Sequence, residues 1–175
     1  MTKINFIPMK IAIISDTHDN ITNLEKFLNW ARINNIEALI HAGDVSAPSV
    51  LSKTLAPNFS GSIHLIFGNV GDPMLLKKVA EELKNVNYYG EAGMFEINGL
   101  SIALVHQPER AESYIASGGF DLVIYGHTHQ SEIKRVGNTM VINPGTLGGL
   151  FNEPTFAVYD TVAREANIFQ LNNLS

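Results

Sequence analysis

The sequence predicts an α/β fold, and three features of the chain support that class. Short runs of β-branched and other apolar residues, each followed by a turn, are typical of buried strands. Between these runs, apolar residues recur with the 3.6-residue period of a helix. The two patterns alternate over the first two-thirds of the chain, and strands alone follow from His129 onward. Alternating strands and helices indicate a largely parallel sheet covered by helices.

The helices are predicted from their apolar spacing and from the signals at their ends. Thr22 and Glu25 have the spacing of a capping box at the start of the first helix. Asp72 followed by Pro73 is typical of an N-cap with proline in the first turn. The four predicted helices begin near Thr22, Pro48, Pro73 and Pro108, and the last one ends at glycines 118 and 119.

The predicted strands end in a β-rich segment. Residues 133–136 and 139–142 read as a hairpin around a Gly-Asn turn, and residues 91–98 pair with 101–105. Because the chain shows no linker, repeat or low-complexity segment, we expect an N-terminal extension at residues 1–9 and a single domain at 10–175. The other predicted strands are residues 10–15, 38–43, 65–68, 122–126, 156–159 and 167–171.

The composition excludes several functional classes. The chain has no cysteine, which rules out disulfides, zinc–thiolate sites and cysteine nucleophiles. A net charge of −5 without a basic cluster argues against binding of long nucleic acids. No apolar stretch reaches the roughly 20 residues that span a bilayer, and residues 1–9 lack the apolar core of a secretory signal. We therefore expect a soluble, cytoplasmic protein with no membrane partner.

Side chains that can hold a metal ion follow five of the predicted strands. In open α/β sheets, functional groups gather beyond the carboxyl ends of the strands, so we expect these side chains to converge at one edge. Seven oxygen and nitrogen ligands are enough for two divalent metal ions. The seven are Asp16, His18, Asp44, Asn69, His106, His127 and His129.

Taken singly, most of these residues have ordinary structural explanations. An Asp-x-His tripeptide is common in loops, and Asp44 could cap the second helix. Asn69 could be a turn residue in the left-handed region, and His106 could be a hydrogen-bonded histidine at a strand end. The pair His127 and His129, beside a glycine, has few structural uses. The occurrence of all five motifs at strand ends favours metal binding.

The remaining candidates favour structural roles. His41 and His64 are predicted to pack or to hydrogen-bond within the fold. Arg110 could contact phosphate, but a solvated helix face is the favoured interpretation. Thr146 and the glycines around it could reach a substrate, although a plain turn is favoured. Three aromatic residues are predicted to lie in the core: Phe151, Phe156 and Tyr159.

The order and spacing of these motifs resemble the calcineurin-like metallophosphoesterase superfamily. The short chain and its Asn143-Pro144-Gly145 turn resemble the small, single-domain bacterial and archaeal phosphodiesterase branch. The resemblance implies a four-layer α/β/β/α sandwich of two mixed β-sheets flanked by helices, and it makes a homodimer an option. It also implies a dinuclear metal centre bridged by Asp44. One ion would be bound by Asp16, His18 and His129, and the other by Asn69, His106 and His127.

The donor set has consequences for the metal and the reaction. Imidazole with carboxylate suits Mn²⁺, Fe²⁺, Co²⁺, Ni²⁺ or Zn²⁺ better than Mg²⁺, and we expect Mn²⁺. Two dications about 3.5–4 Å apart can clamp a phosphate and hold a hydroxide near neutral pH. Four positive charges, less two for the aspartates and one for hydroxide, leave one, which attracts a phosphodiester monoanion. We therefore expect hydrolysis of small or activated phosphodiesters, with Asp44 and Asn69 in the catalytic centre.

Two departures from the family pattern concern the mechanism. Many members have a histidine directly after the asparagine, and it is thought to protonate the leaving oxygen, whereas here Val70 follows Asn69. Asp72 could substitute, but capping of the next helix is the favoured role. A general acid contributes about 10²–10⁴-fold, so poor leaving groups should react slowest. Gln107 follows His106 where many relatives have glycine and histidine, which makes the His106 contact less secure.

Two rival functions stay open at this point. The retromer subunit that shares the superfamily fold works as a scaffold, so a non-catalytic interaction module is one alternative. Loss of ligands should mark a scaffold, and all seven are present in this chain. The other alternative keeps the enzyme but makes nucleotides or nucleic-acid ends the substrate. The acidic charge balance disfavours long polymers and leaves cyclic nucleotides open.

Overall fold

The computed structural model describes residues 8–174, which form eleven strands and four α-helices. The helices are α1 (Ile21–Ile33), α2 (Pro48–Val50), α3 (Pro73–Glu81) and α4 (Pro108–Ser117). The strands are β1 (Lys10–Ile14), β2 (Ala38–His41), β3 (Ser62–Leu65), β4 (Val86–Tyr88), β5 (Ala92–Ile97), β6 (Leu100–Val105), β7 (Leu122–Ile124), β8 (Ser131–Val136), β9 (Thr139–Pro144), β10 (Thr155–Asp160) and β11 (Glu165–Gln170). Irregular helical turns at Leu51–Leu55, Ala56–Asn58 and Leu171–Asn173 complete the helical structure of this range.

The strands form two mixed sheets. The six-stranded sheet has the order β11-β10-β1-β2-β3-β4, in which β1 to β4 are parallel and β10 is antiparallel to β1. The five-stranded sheet has the order β5-β6-β7-β9-β8, with β6, β7 and β9 parallel and an antiparallel strand at each edge. The central strands of both sheets are therefore parallel, as the alternation of strands and helices in the sequence predicted.

Three apolar layers hold the sheets and helices together. One cluster lies between the two sheets and includes Ile13 and Ile40 of one sheet and Ile102 and Ile142 of the other. A second cluster packs α1, the turn at Leu51–Leu55 and α3 on the outer face of the six-stranded sheet. A third packs α4 on the outer face of the five-stranded sheet. The result is the four-layer α/β/β/α sandwich that the family resemblance implied.

The helix ends agree with the sequence signals except at α1. Asp72 caps α3, because its carboxylate accepts hydrogen bonds from the amides of the first turn at 2.9 and 3.0 Å. Gly118 ends α4 in the left-handed region, with φ +63°. The prediction of a capping box at Thr22 and Glu25 is wrong. The N-cap of α1 is Asn20, whose side chain accepts a hydrogen bond from a backbone amide in the first turn, so the helix begins one residue before Thr22.

Several strand boundaries differ from the prediction; β2 ends at His41 and β7 at Ile124, each two residues earlier than predicted. The third strand ends at Leu65, earlier than predicted, because the chain turns so that the Phe67 amide bonds to Gly90. Strand β4 was not predicted, since only three residues of mixed exposure form it. The hairpin of β8 and β9 and the pair of β5 and β6 are confirmed.

The predicted N-terminal extension lies mostly outside the described residues. Met9 is described, and its amide and carbonyl both bond to Thr161, each at 3.1 Å. The division into an extension and a single domain remains a prediction. Among residues 8–174, no helix has the length and apolar character needed to cross a membrane.

Candidate metal centre

Backbone hydrogen bonds connect the loops that carry the seven candidate ligands. The Asp16 amide bonds to Gly43 at 3.0 Å, and the His18 amide bonds to Asp44 at 3.1 Å. In the second sheet, the Gly126 amide bonds to the carbonyl of His106 at 3.0 Å. The loops that follow β1 and β2 thus meet at the carboxyl ends of their strands, as do those that follow β6 and β7, and the His127 amide joins the two pairs by a bond to Asp16 Oδ2 at 3.1 Å. This is the convergence that the sequence pattern predicted.

The first group of side chains consists of Asp16, His18 and His129. The Nε2 atom of His129 lies 3.2 Å from Asp16 Oδ1 and 3.4 Å from His18 Nε2. One ligand atom from each of the three lies within 4.8 Å of the others, a spacing that allows them to share one cation. Asp16 is buried, and the two histidines are partly exposed.

The second group lies directly beside the first. The Nε2 atom of His106 lies 3.5 Å from Asp44 Oδ2, and Asp16, Asp44 and His106 also have ligand atoms within 4.8 Å of one another. The Nδ1 atom of His127 is 3.0 Å from Asn69 Oδ1, and its ring lies edge-on to that of His106. The two groups are continuous through the aspartates.

Asp44 occupies the position between the groups. Its Oδ2 atom is 3.7 Å from His18 Nε2 and 3.5 Å from His106 Nε2. Its Oδ1 atom accepts hydrogen bonds from the amides of Asn69 and Val70 at 2.8 and 3.0 Å. These bonds leave Oδ2 directed at the histidines. The alternative that Asp44 caps the second helix is not what the structure shows, because the residue at the N-cap of α2 is Ala47.

Two atoms of this cluster are buried polar atoms that lack a hydrogen bond. Asp16 Oδ1 and His106 Nε2 have no hydrogen-bond partner, and Ser15 Oγ is the third such atom among the described side chains. A buried polar group without a partner costs about 1–3 kcal/mol, so native proteins rarely leave one unexplained. A cation that accepts both lone pairs would remove the cost. The cluster therefore fits the divalent ions that its donor set suggested.

Backbone carbonyls fix the orientation of two histidine rings. His106 Nδ1 donates to the carbonyl of Ala42 at 2.7 Å, and His129 Nδ1 donates to that of Leu150 at 3.0 Å. Each bond places the proton on Nδ1 and leaves the Nε2 lone pair directed at the carboxylates. Metal-binding histidines usually have such a partner on the other nitrogen.

The charges in the cluster shift the pKa values of two groups. Burial alone would raise the pKa of Asp44, but interaction with His106 and the amides of Asn69 and Val70 lowers it overall. Burial alone would lower the pKa of His106, but Asp44, the carbonyl of Ala42 and the charge of Asp16 raise it overall. Both shifts reflect attraction between a carboxylate and the protonated form of an imidazole held a few ångströms away.

Five of the seven candidate ligands have an unusual backbone conformation. Their φ angles are positive, a region that costs a non-glycine residue on the order of 1–3 kcal/mol. Such strain persists only where the surrounding structure enforces it, and it is concentrated at functional sites. The five are Asp16 (φ +51°), His18 (+42°), Asp44 (+63°), His127 (+68°) and His129 (+58°).

Two glycines allow the loops to come this close. Gly68 has φ +92°, and a Cβ atom there would collide with the carboxylate and the amide of Asp44. At Gly126, a Cβ atom would collide with Ser15 Oγ and lie 2.9 Å from Asp16 Oδ2. Glycine is therefore required at both positions for the observed approach of the strands' ends.

Sequence reasoning missed the hydrogen bonds that join His41 and Thr17 to the backbone of Asp44. His41 is buried, and its Nδ1 atom accepts a bond from the Gly43 amide, which leaves Nε2 to bond to Thr17 at 3.2 Å. Thr17 in turn donates to the carbonyl of Asp44 at 3.1 Å. Burial lowers the pKa of His41 to about 3, so the ring is neutral. The prediction of a hydrogen-bonding His41 is confirmed, but the local sequence gave no sign of its partner.

The other candidates have mixed outcomes. His64 stacks on Phe95 with a centroid distance of 4.6 Å, as expected of a structural residue. Arg110 pairs with Glu91 at 3.1 Å on the exposed face of α4. Thr146 is buried and donates to the carbonyl of Asp16 at 3.0 Å, so its loop is more than a plain turn. The prediction that Phe151 lies in the core is wrong, because the side chain is 90% exposed.

Two mixed sheets with a carboxylate and imidazole cluster at one edge define the class of this protein, a metallophosphoesterase. The chain belongs to the calcineurin-like phosphoesterase superfamily, whose domain matches residues 9–164. Members of this superfamily depend on divalent metal ions.

Two of the matches to known proteins agree with this class, and a third shares its fold. A phosphodiesterase of Methanocaldococcus jannaschii is 34% identical over 161 residues, which cover 90% of this chain and 96% of that protein. The solved structure of an archaeal phosphodiesterase matches with a TM-score of 0.77 and 31% identity, over 93% of this chain and 99% of the other. Vacuolar protein sorting 29 from Cryptosporidium parvum matches with a TM-score of 0.65 at 18% identity, over 93% and 96% of the two chains, and shows the shared fold alone.

Proposed function

We propose that this protein is a phosphodiesterase that uses two divalent metal ions to hydrolyse small or activated phosphodiesters. One ion would be held by Asp16, His18 and His129, and the other by Asn69, His106 and His127, with Asp44 between them. The observation that carries the proposal is the pair of buried, unpartnered ligand atoms, Asp16 Oδ1 and His106 Nε2, at the centre of this cluster. The 34% identity to an archaeal phosphodiesterase supports the substrate class.

The donor set supports a transition metal. Imidazole and carboxylate together suit Mn²⁺, Fe²⁺, Co²⁺, Ni²⁺ and Zn²⁺, and we propose Mn²⁺. When bound, two such ions supply Lewis acidity, a nucleophile at neutral pH and charge that offsets the charge of the phosphate. Two carboxylates contribute two negative charges against four positive ones. The occupied site therefore attracts a phosphodiester monoanion without a nearby lysine or arginine.

The residues of the chain hold the site rigid before substrate arrives. The amides of Asn69 and Val70 fix the Asp44 carboxylate, while the carbonyls of Ala42 and Leu150 fix two imidazoles. Preorganised charges do not have to reorient during the reaction, which is the main source of electrostatic catalysis. The strained backbone at five ligand positions is the structural cost of this rigidity.

Activated diesters are the favoured substrates because, within residues 8–174, neither Val70 nor Asp72 is suited to protonate the leaving group. Val70 stands directly after Asn69, and Asp72 accepts hydrogen bonds from two amides of α3 as its N-cap. A phenolate with electron-withdrawing groups departs without a proton, whereas an alkoxide does not. We therefore propose a preference for aryl diesters over alkyl diesters, since only the alkyl diesters would forgo the roughly 10²–10⁴-fold that a general acid supplies.

The cellular location and the oligomeric state are proposals that start from the sequence. We propose a cytoplasmic protein, which the absence of cysteine from the chain supports. A homodimer stays a prediction, and light scattering of the purified protein measures it directly.

Asp44→Asn tests the proposed function. Asparagine keeps an Oδ1 atom for the amides of Asn69 and Val70 but replaces the negative Oδ2 atom with a donor that repels a cation. We expect the variant to fold, to lose bound Mn²⁺ by mass spectrometry, and to hydrolyse bis(4-nitrophenyl) phosphate at least about 10²-fold more slowly. Asp160→Asn is the matched control, since Asp160 accepts two amide bonds in a turn at the end of β10.

Three results would contradict the proposal. One is turnover of the diester by wild-type protein that has been stripped of metal. Another is a clear preference for an alkyl monoester over the aryl diester. The third is unchanged metal content and turnover in Asp44→Asn, which would remove Asp44 from the site.

A further inference from the structure

Phe151 is the most exposed large apolar side chain among the described residues. Its side chain is 90% exposed, and the next value in this class is 74% at Met74. Its φ angle is +64°, a conformation that is a genuine outlier for a bulky residue. An exposed aromatic ring on a strained backbone gains nothing from folding. Its position therefore calls for another explanation.

The ring lies directly beside the candidate metal centre. Its centroid is 5.7 Å from that of His129, with the two planes tilted by 31°. His129 Nδ1 donates to the carbonyl of Leu150, the residue before Phe151, and His129 Nε2 lies 3.2 Å from Asp16. Phe151 is thus one side chain away from the atoms that would hold a phosphate.

Hydrogen bonds fix the loop that presents the ring. The Gly148 amide bonds to the carbonyl of Asp16 at 3.0 Å. Asn20 and Asn23 of the α1 end donate to the carbonyls of Gly148 and Leu147, both at 2.9 Å. A flat apolar surface is therefore held at a fixed distance from the cluster, as a binding subsite requires.

We propose that Phe151 binds a planar aromatic group on the substrate, and that this group is the ester substituent retained by the product. The inference rests on the proposed phosphodiesterase function. An oxygen that is expelled gains negative charge and needs a proton or a cation, and a phenyl ring offers neither. The retained substituent gains no charge, so it suits an apolar surface. An aryl group or a nucleobase has the planar face that stacks on such a ring.

The charge around the ring also restricts the ligand. Residues 145–154 contain one ionisable side chain, Glu153, whose carboxylate accepts a bond from Asn172 at 2.8 Å. This loop therefore has no cation that would favour a second phosphate on the retained group. The substrate class is a phosphodiester whose retained ester group is aromatic and uncharged.

Two diesters with the same 4-nitrophenyl leaving group test the inference, one with phenyl and one with methyl as the retained group. Stacking on an aromatic side chain is worth about 1–3 kcal/mol, which corresponds to roughly 5- to 150-fold. We expect Phe151→Ala to lower the phenyl-to-methyl ratio of kcat/KM by about that factor. Phe151→Tyr should keep the ratio within about twofold, and Phe151→Leu should lose most of the preference. Met94→Ala, which removes an exposed apolar side chain from β5, should leave the ratio unchanged.

A binding measurement gives a second readout that does not depend on turnover. In calorimetry of the Mn²⁺-loaded protein, phenyl phosphate should bind more tightly than methyl phosphate, and Phe151→Ala should reduce that difference by the same roughly 5- to 150-fold. Equal ratios in wild type and Phe151→Ala would overturn the inference. If Phe151→Ala keeps the phenyl-to-methyl ratios of wild type but has a lower oligomeric mass, the inference is also overturned, because the ring would then belong to a contact between protein chains.

The proposed function and this inference fail in different ways. If wild-type protein hydrolyses neither diester, the phosphodiesterase function fails, and the calorimetric ratio still decides the role of Phe151. If wild-type protein hydrolyses both and the ratio does not respond to Phe151→Ala, only the inference fails.

Discussion

Removal of the His64 imidazole should make the protein less sensitive to acid. His64 lies on β3, where its Nδ1 atom is 2.8 Å from the Tyr89 hydroxyl and its ring stacks on Phe95 at 4.6 Å. Burial lowers its pKa from 6.5 to about 4. The folded protein therefore binds fewer protons at His64 than the unfolded chain does, and its stability falls as the pH drops below 6.5 toward the folded pKa.

The size of the effect follows from the two pKa values. Between about pH 7.5 and about pH 5, protonation of His64 in the unfolded chain alone should cost on the order of 2 kcal/mol of unfolding free energy. The loss should stop growing as the pH falls through about 4, where the folded protein also takes up the proton. His64→Gln has no such titration, so its stability should fall by roughly 2 kcal/mol less over the same interval.

Urea unfolding followed by circular dichroism measures this difference. Both proteins are unfolded at the two pH values in the presence of a chelator, so that metal release does not contribute. Histidines and carboxylates shared by the two proteins cancel in the comparison. Equal pH dependence in wild type and His64→Gln would refute the reasoning, and a steeper dependence in the variant would reverse its sign.

Two further predictions concern the candidate metal centre. Gly68→Ala should lose most of its bound Mn²⁺ and about 10²-fold in activity, because the added Cβ atom would displace Asp44. Gly137→Ala is the control, since Gly137 also has a positive φ but lies in an open environment. That variant should lose only about 1 kcal/mol of stability. Retention of metal and activity by Gly68→Ala would contradict the tight approach of these loops. Asp72→Asn should keep its cap and change kcat less than about twofold on aryl and alkyl diesters, as measured by steady-state kinetics. A selective loss on the alkyl diester would instead make Asp72 the general acid.

The parts of the fold that could be predicted are those set by periodic burial. Strand β1 reads as four buried residues after Lys10, and the hairpin of β8 and β9 is marked by its Gly-Asn turn. The start of α1 could not be predicted, because an asparagine competed with a capping box two residues later. Strand β4 has too few residues to show a period.

The candidate site was predictable as a set of residues but not as a geometry. Seven potential ligand residues after five strands predicted a cluster, because the carboxyl ends of parallel strands meet. Nothing local shows that Asp44 is oriented by the amides of Asn69 and Val70, or that Thr17 joins it to His41. These bonds connect residues 24 or more positions apart, so only the folded chain shows them.

Phe151 shows where the apolar pattern misleads. A phenylalanine indicates a core position by residue type alone, since burial is its usual state. The structure places it in solvent beside His129, on a loop fixed by α1. Local rules fail most often at functional sites, and a ring left exposed next to a ligand cluster is such a failure.

Anomalous diffraction from crystals of the Mn²⁺-loaded protein tests the central claim most directly. We expect two peaks per chain, about 3.5–4 Å apart, with Asp44 between them and Asp16 and His106 on opposite sides. A single peak, two peaks farther apart than one carboxylate can bridge, or none within reach of Asp44 would contradict it.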